Sequence, residues 1–127
     1  MLHRFAAACL VASVIIAAGA LMSLLLGLTP ELARTLTTAW CVVPLVWGVW
    51  AMVAPKRWVP ARLPLWGAIL GLPAGIVAGP VLDLPSRMGG PDGARWLVLV
   101  LAPLLYYALW LLVGSAYRSL RITDRSA

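Results

Sequence analysis

The sequence predicts an all-α, polytopic membrane protein: an antiparallel bundle of four transmembrane helices with short loops. Three observations predict it. Four apolar runs, over residues 5–30, 35–55, 63–82 and 96–117, contain no Lys, Arg, Asp or Glu, and every charge lies between or outside them. The composition is 63% hydrophobic and 11% charged, with mean hydropathy +0.97. The basic residues also cluster on alternate connections. A helix needs about 20 apolar residues to cross a hydrocarbon core roughly 30 Å thick, and each run supplies about that many. A water-facing helix would need a polar face, and none of the four runs has one. With 127 residues and four spans, no room remains for a soluble domain, so residues 1–127 read as a single integral membrane domain.

The first helix is expected over about 5–28. It opens like a secretory signal, with His3-Arg4, an apolar stretch, and then Ala18-Gly19-Ala20. Signal h-regions run to about 7–15 residues and this one continues to Leu28, so an uncleaved span is expected. Cleavage would leave three spans with the C-terminus on the same side. Cys9 follows Ala7-Ala8 without the leucine of a lipoprotein box, so no lipid is expected there. Gly19, Ser23 and Gly27 recur at four-residue spacing and predict a face of small residues for close packing.

The second helix is expected over about 36–54. It carries Trp40 and Trp47 at heptad spacing, with Trp50, and has Pro44 in its interior. The third, over about 64–83, holds Gly67, Gly71, Gly75 and Gly79 at every fourth residue. That spacing lines one face with hydrogen atoms, so another helix can approach closely, and close packing is what joins helices in lipid. The first expectation is an internal helix–helix seam. A homo-oligomer seam or a groove for a partner subunit is the functional alternative. Pro73 lies within this helix and Pro80 near its end. The fourth helix, over about 96–117, contains Pro103, Tyr106, Tyr107 and Trp110. An internal proline lacks an N–H and frees a carbonyl one turn back, so Pro44, Pro73 and Pro103 are expected helix kinks. The segment from Pro85 to Gly93 reads as a turn-rich, flexible loop.

Charge sets the expected orientation. If all four runs span, Arg4, Lys56, Arg57, Arg62, Arg118, Arg121 and Arg125 fall on one side, with Asp124 the only acid. Glu31, Arg34, Asp83, Arg87, Asp92 and Arg95 fall on the other and nearly cancel. Positive-inside bias then places both termini in the cytoplasm of a bacterial-type inner membrane. Trp58, Trp66, Trp96 and Tyr117 flank the spans and read as an interfacial aromatic belt. The net charge of +6 is spent on loop anchors, with no patch long enough to follow a phosphate backbone, so no nucleic acid is expected.

Catalytic chemistry is sparse. His3 is the sole histidine and stands near the N-terminus, which excludes paired-histidine haem ligation within one chain. Cys9 and Cys41 sit at different depths of their helices and no C-x-x-C occurs, so neither a disulfide nor thiol redox chemistry is expected. Ion-coupled transport ordinarily uses an ionisable group at membrane depth, and no run contains one. Glu31 with Arg34, and Asp83 with Arg87, stand at the outer boundary and are expected to be solvated ion pairs, with an outer-face cation or partner contact as the functional alternative. Accordingly no enzyme, metal or cofactor is expected.

Residues 4–55, less than half the chain, resemble small uncharacterised membrane proteins associated with bacterial siderophore-iron uptake. The shared features are Arg4 before an Ala/Gly-rich helix, and an aliphatic run ending at Pro30 with Glu31 and Arg34 close behind. A second helix closing as Trp47-Gly48-Val49-Trp50-Ala51 completes the likeness. A Gly-Gly-Tyr in the first helix is missing here, and this chain has an extra final helix. The resemblance implies an accessory role in inner-membrane iron handling and carries no catalytic residues across. Two functions follow as expectations. One is an accessory or scaffold subunit held to a larger membrane protein, or to itself, within the lipid bilayer. The other is a small permease or channel component acting as a homo-oligomer, with Pro44, Pro73 and Pro103 shaping the path.

Overall fold

The computed structural model describes the backbone of every residue except Leu28, Asp92 and Ala127. It also leaves outside description the side chains of Leu32, Ala33, Thr35, Ala39, Arg121 and residues 123–126. The described residues are helical, without strands. The order is α1 (Leu2–Leu25), α2 (Pro30–Val53), a 3-10 turn (Lys56–Trp58) and α3 (Leu63–Ile76). A π turn (Val77–Val81), the short α4 (Leu84–Arg87) and α5 (Ala94–Ser126) complete it. Four segments are long and apolar enough to cross a membrane: Leu2–Leu25, Leu36–Val53, Leu63–Val81 and Ala94–Leu120.

The element boundaries depart from the apolar runs for local reasons. α1 ends at Leu25, and Gly27 adopts φ +61°, the left-handed conformation that glycine supplies beyond a helix C-terminus. Gly27 therefore lies outside the helix, and the predicted Gly19–Ser23–Gly27 row stops after Ser23. α2 begins at Pro30, six residues before the predicted start. Proline suits a first helical position because its missing N–H has no partner there, and Glu31 in the first turn complements the positive helix end. α5 continues nine residues past the predicted end at 117. No Gly or Pro follows Tyr117, so the loss of hydrophobicity ends the span without ending the helix. At 1.5 Å per residue its 33 residues measure about 50 Å, well beyond a bilayer core.

α3 does not run straight to residue 83. Pro80 lacks the N–H that would serve the Ile76 carbonyl, and the chain shifts to a five-residue register over Val77–Val81. The Leu82 N–H donates to the Val77 carbonyl at 2.9 Å in that register. Asp83 follows with φ +47°, a left-handed conformation at the start of α4. The Ser86 hydroxyl donates to Asp83 Oδ1 at 3.0 Å, and the Gly90 N–H donates to the Pro85 carbonyl at 2.8 Å. The start of the predicted loop thus folds into the helical turn Leu84–Arg87, and Asp83 accepts from the Ser86 hydroxyl.

Two compact units make up the chain within what the sequence reads as one membrane domain: Met1–Val53 with Ser115–Ala127, and Ala54–Gly114. In the first, α1 and α2 pack together, with residues early in α1 meeting residues late in α2. Ala7, Ala8, Val11 and Ala12 form the buried stripe of α1. In the second, α3 lies along the first part of α5, with Leu63, Leu70 and Trp110 in its core.

Candidate functional site

The four-residue glycine row of α3 is the feature around which the second unit is built. A Cβ at Gly67 would collide with the Cβ and ring of Trp110. At Gly71 it would stand 2.7 Å from Pro103 Cα and 2.9 Å from the Ala102 carbonyl oxygen. At Gly75 it would meet Ala102 Cβ at 3.0 Å and the Val98 oxygen at 3.3 Å. At Gly79 it would strike the Arg95 oxygen. The partners descend from 110 to 95 as the glycines climb from 67 to 79, so one continuous face of α3 lies on α5. Near the loop end, Gly67 accepts a whole indole. Further along, the two backbones themselves come close.

That seam joins three features the sequence treats separately. Trp110, 0% exposed, is a packing residue set into the Gly67 notch. Pro103 lies at the closest backbone approach, opposite Gly71. The missing Pro103 N–H leaves the Leu99 carbonyl without its helical donor, and Gly75 faces that same turn, where an added Cβ would lie 3.5 Å from Leu99 Cα. The glycines are therefore occupied by α5 of the same chain, and a partner would have to meet other surfaces.

In the first unit, a Cβ at Gly19 would meet the Trp40 indole at 3.3 Å, while Ser23 turns its hydroxyl back to the Ala20 carbonyl at 2.8 Å. A Cβ at Gly27 would meet no heavy atom within 4 Å. The residue that sequence reasoning missed is Gly48. A Cβ there would lie 2.6 Å from the Phe5 ring and 2.8 Å from Cys9 Sγ. A lone glycine within an apolar helix, away from any turn signal, was the available clue. Pro44, one turn earlier, presents its carbonyl to the Cys9 thiol, which donates at 3.2 Å. Pro44, Pro73 and Pro103 each lie inside a helix.

The remaining predicted residues are dispersed. Trp58 and Trp66 meet edge to face, with centroids 5.9 Å apart at 82°. Trp96 is 57% exposed, with the Arg95 guanidinium 5.5 Å from its ring centre. Tyr117, the fourth residue of the expected belt, is 8% exposed. Lys56, Arg57, Arg62 and Arg118 are exposed, and Arg4 is half-buried. The side chains of Arg121 and Arg125 lie outside the described residues. Cys9 and Cys41 are free thiols. Among the described residues no group of three or more His, Cys, Asp or Glu comes together to hold a metal. A shallow groove of about 280 Å³ between α1 and α2 is lined by residues that include Ser13, Ala17, Thr37, Trp40, Cys41 and Pro44. No family model, curated protein or solved structure matches the chain.

Proposed function

We propose that this chain is an accessory or scaffold subunit of a larger complex in a bacterial inner membrane. Its four spans run antiparallel as a bundle, with both termini in the cytoplasm. The observation that carries the reading is the chemistry of the spans. Their membrane-depth residues are aliphatic, aromatic, small or hydroxylated, and none is Asp, Glu, His, Lys or Arg. A coupled transporter needs a group that binds and releases charge as it moves, and these spans offer none of the usual ones. Supporting this, the glycines that make a membrane helix adhesive are used to join α3 to α5. The chain thereby has a close-packed internal seam and leaves long aliphatic faces, such as Leu97, Val100, Leu101, Leu104 and Leu105 on α5, outward. The resemblance of residues 4–55 to proteins that accompany siderophore uptake suggests iron handling as the pathway the larger partner serves.

The competing reading is a permease acting alone, and flux decides between them. The purified chain, reconstituted at high density in liposomes, is expected to leave small-solute and siderophore-iron permeability at the level of empty vesicles. Flux that rises in proportion to protein density would replace the accessory role with a transport role.

A further inference from the structure

The segment between the second and third spans combines two features that the glycine seam does not use. Lys56 and Arg57 open the 3-10 turn that closes at Trp58, and Arg62 stands immediately before the first residue of α3. All three cations are exposed. No Asp or Glu occurs anywhere from residue 32 to residue 82, so the turn is cationic without local compensation. The first turn of α3 has no side-chain cap, and its positive dipole end adds to the same field.

Directly along the chain from these cations lies an apolar groove of about 350 Å³. Trp58, Leu65, Ala68, Ile69, Leu72 and Pro103 line it. Trp58 thus belongs both to the cationic turn and to the groove wall. Leu65 to Leu72 covers about 10 Å of helix, a large part of the roughly 15 Å depth of one leaflet. Ala68 contributes only a methyl group to the lining, and Pro103 is the lining residue that comes from α5.

We propose that the turn and the groove together form a binding site for an anionic phospholipid, its headgroup on Lys56, Arg57 and Arg62 and one acyl chain along α3. The charge of the turn selects the occupant. A protein segment filling the groove would need a line of acids at one end, whereas an anionic lipid joins a phosphate to an aliphatic tail in the required order. Arg presents a planar fork of donors to a phosphate, and Lys adds a point charge. The indole of Trp58 sits where headgroup gives way to chain, the zone its amphipathic ring prefers. This site stands whether or not the accessory-subunit reading holds, because it needs no protein partner.

The test is native mass spectrometry of the delipidated full-length protein in detergent. It is titrated with phosphatidylglycerol and with phosphatidylcholine of the same acyl chains. Phosphatidylglycerol is expected to bind at a concentration at least tenfold lower. Arg57→Gln and Arg62→Gln are each expected to weaken it by roughly fivefold, following the value of a basic residue near a membrane surface. Arg57→Lys should retain most of the affinity. Ala68→Trp, which fills the groove and leaves every cation in place, is expected to lower binding at least tenfold, and Leu72→Trp serves as a second block at a more exposed position. Equal binding of the two lipids would overturn the site as ordinary annular contact. Wild-type affinity in the groove-filled variants would overturn the acyl-chain part. Displacement of phosphatidylglycerol by equimolar glycerol 3-phosphate would overturn the lipid in favour of a soluble phosphate.

Discussion

The glycines of this chain are not equivalent, and their differences are measurable one at a time. Gly67 lies under the Trp110 indole, so even a methyl group must displace a buried ring, whereas a Cβ at Gly114 meets no heavy atom within 4 Å. Overpacking a fitted contact typically destabilises by about 1–3 kcal/mol. Replacing a helical glycine by alanine in open space stabilises by up to about 1 kcal/mol. Thermal unfolding in detergent should therefore separate Gly67→Ala, with a lowered midpoint, from Gly114→Ala, with an equal or raised one. Similar midpoints for the two variants would contradict the close approach at Gly67. The row at 67, 71, 75 and 79 was legible because a period of four on a helix is a geometric statement about one face. What the row touches was not legible, since hydropathy cannot distinguish a span that faces α5 from one that faces another copy or lipid. Gly48 escaped for a related reason: a single glycine has no period to reveal it, and only the positions of Phe5 and Cys9 give it meaning.

Among the elements, the third span shows best how one residue redirects a helix. Pro80 withholds the donor for Ile76, and the π register over Val77–Val81 is the local answer. Pro80→Ala supplies the missing amide, and the expected outcome is a continuous α-helix through Leu82. Hydrogen exchange checks this directly, because the amide introduced at position 80 should be protected to the same degree as its neighbours in α3. A freely exchanging amide there would show that the turn has another cause. The existence and type of every long element follow from the apolar runs. Their ends do not, because span and helix are different quantities. Membrane thickness sets the first and backbone hydrogen bonding sets the second. α5 shows the difference: Arg118 ends the apolar window, yet the helix continues to Ser126 for want of any breaker. α4 lay hidden in a stretch rich in Pro and Gly because the Ser86–Asp83 bond that organises it is invisible to composition.

For the whole molecule, orientation and company are the open quantities, and each has a physical handle. The positive-inside bias predicts that the end of α5, with its arginines, projects into the cytoplasm. Trypsin should then remove residues beyond Arg118 in inside-out vesicles and leave them intact in spheroplasts. Cleavage in spheroplasts alone would invert the topology. An orientation can be proposed from sequence because it depends on charge counts per connection and not on packing. Function was less readable, since these spans offer no group at membrane depth whose chemistry names a substrate. The accessory-subunit proposal accordingly rests on the apolar composition of the spans and on the glycine seam, and not on a reacting group.

The central claim is therefore about stoichiometry, and the mass of the intact assembly tests it most directly. The C-terminally tagged chain, expressed at its native level and released in mild detergent, is weighed by native mass spectrometry before and after dissociation. The account predicts one defined assembly in which this 13.6 kDa chain is joined, in fixed ratio, to a larger multi-span membrane protein. A mass equal to one chain, or to an integral number of copies of this chain alone, would contradict it.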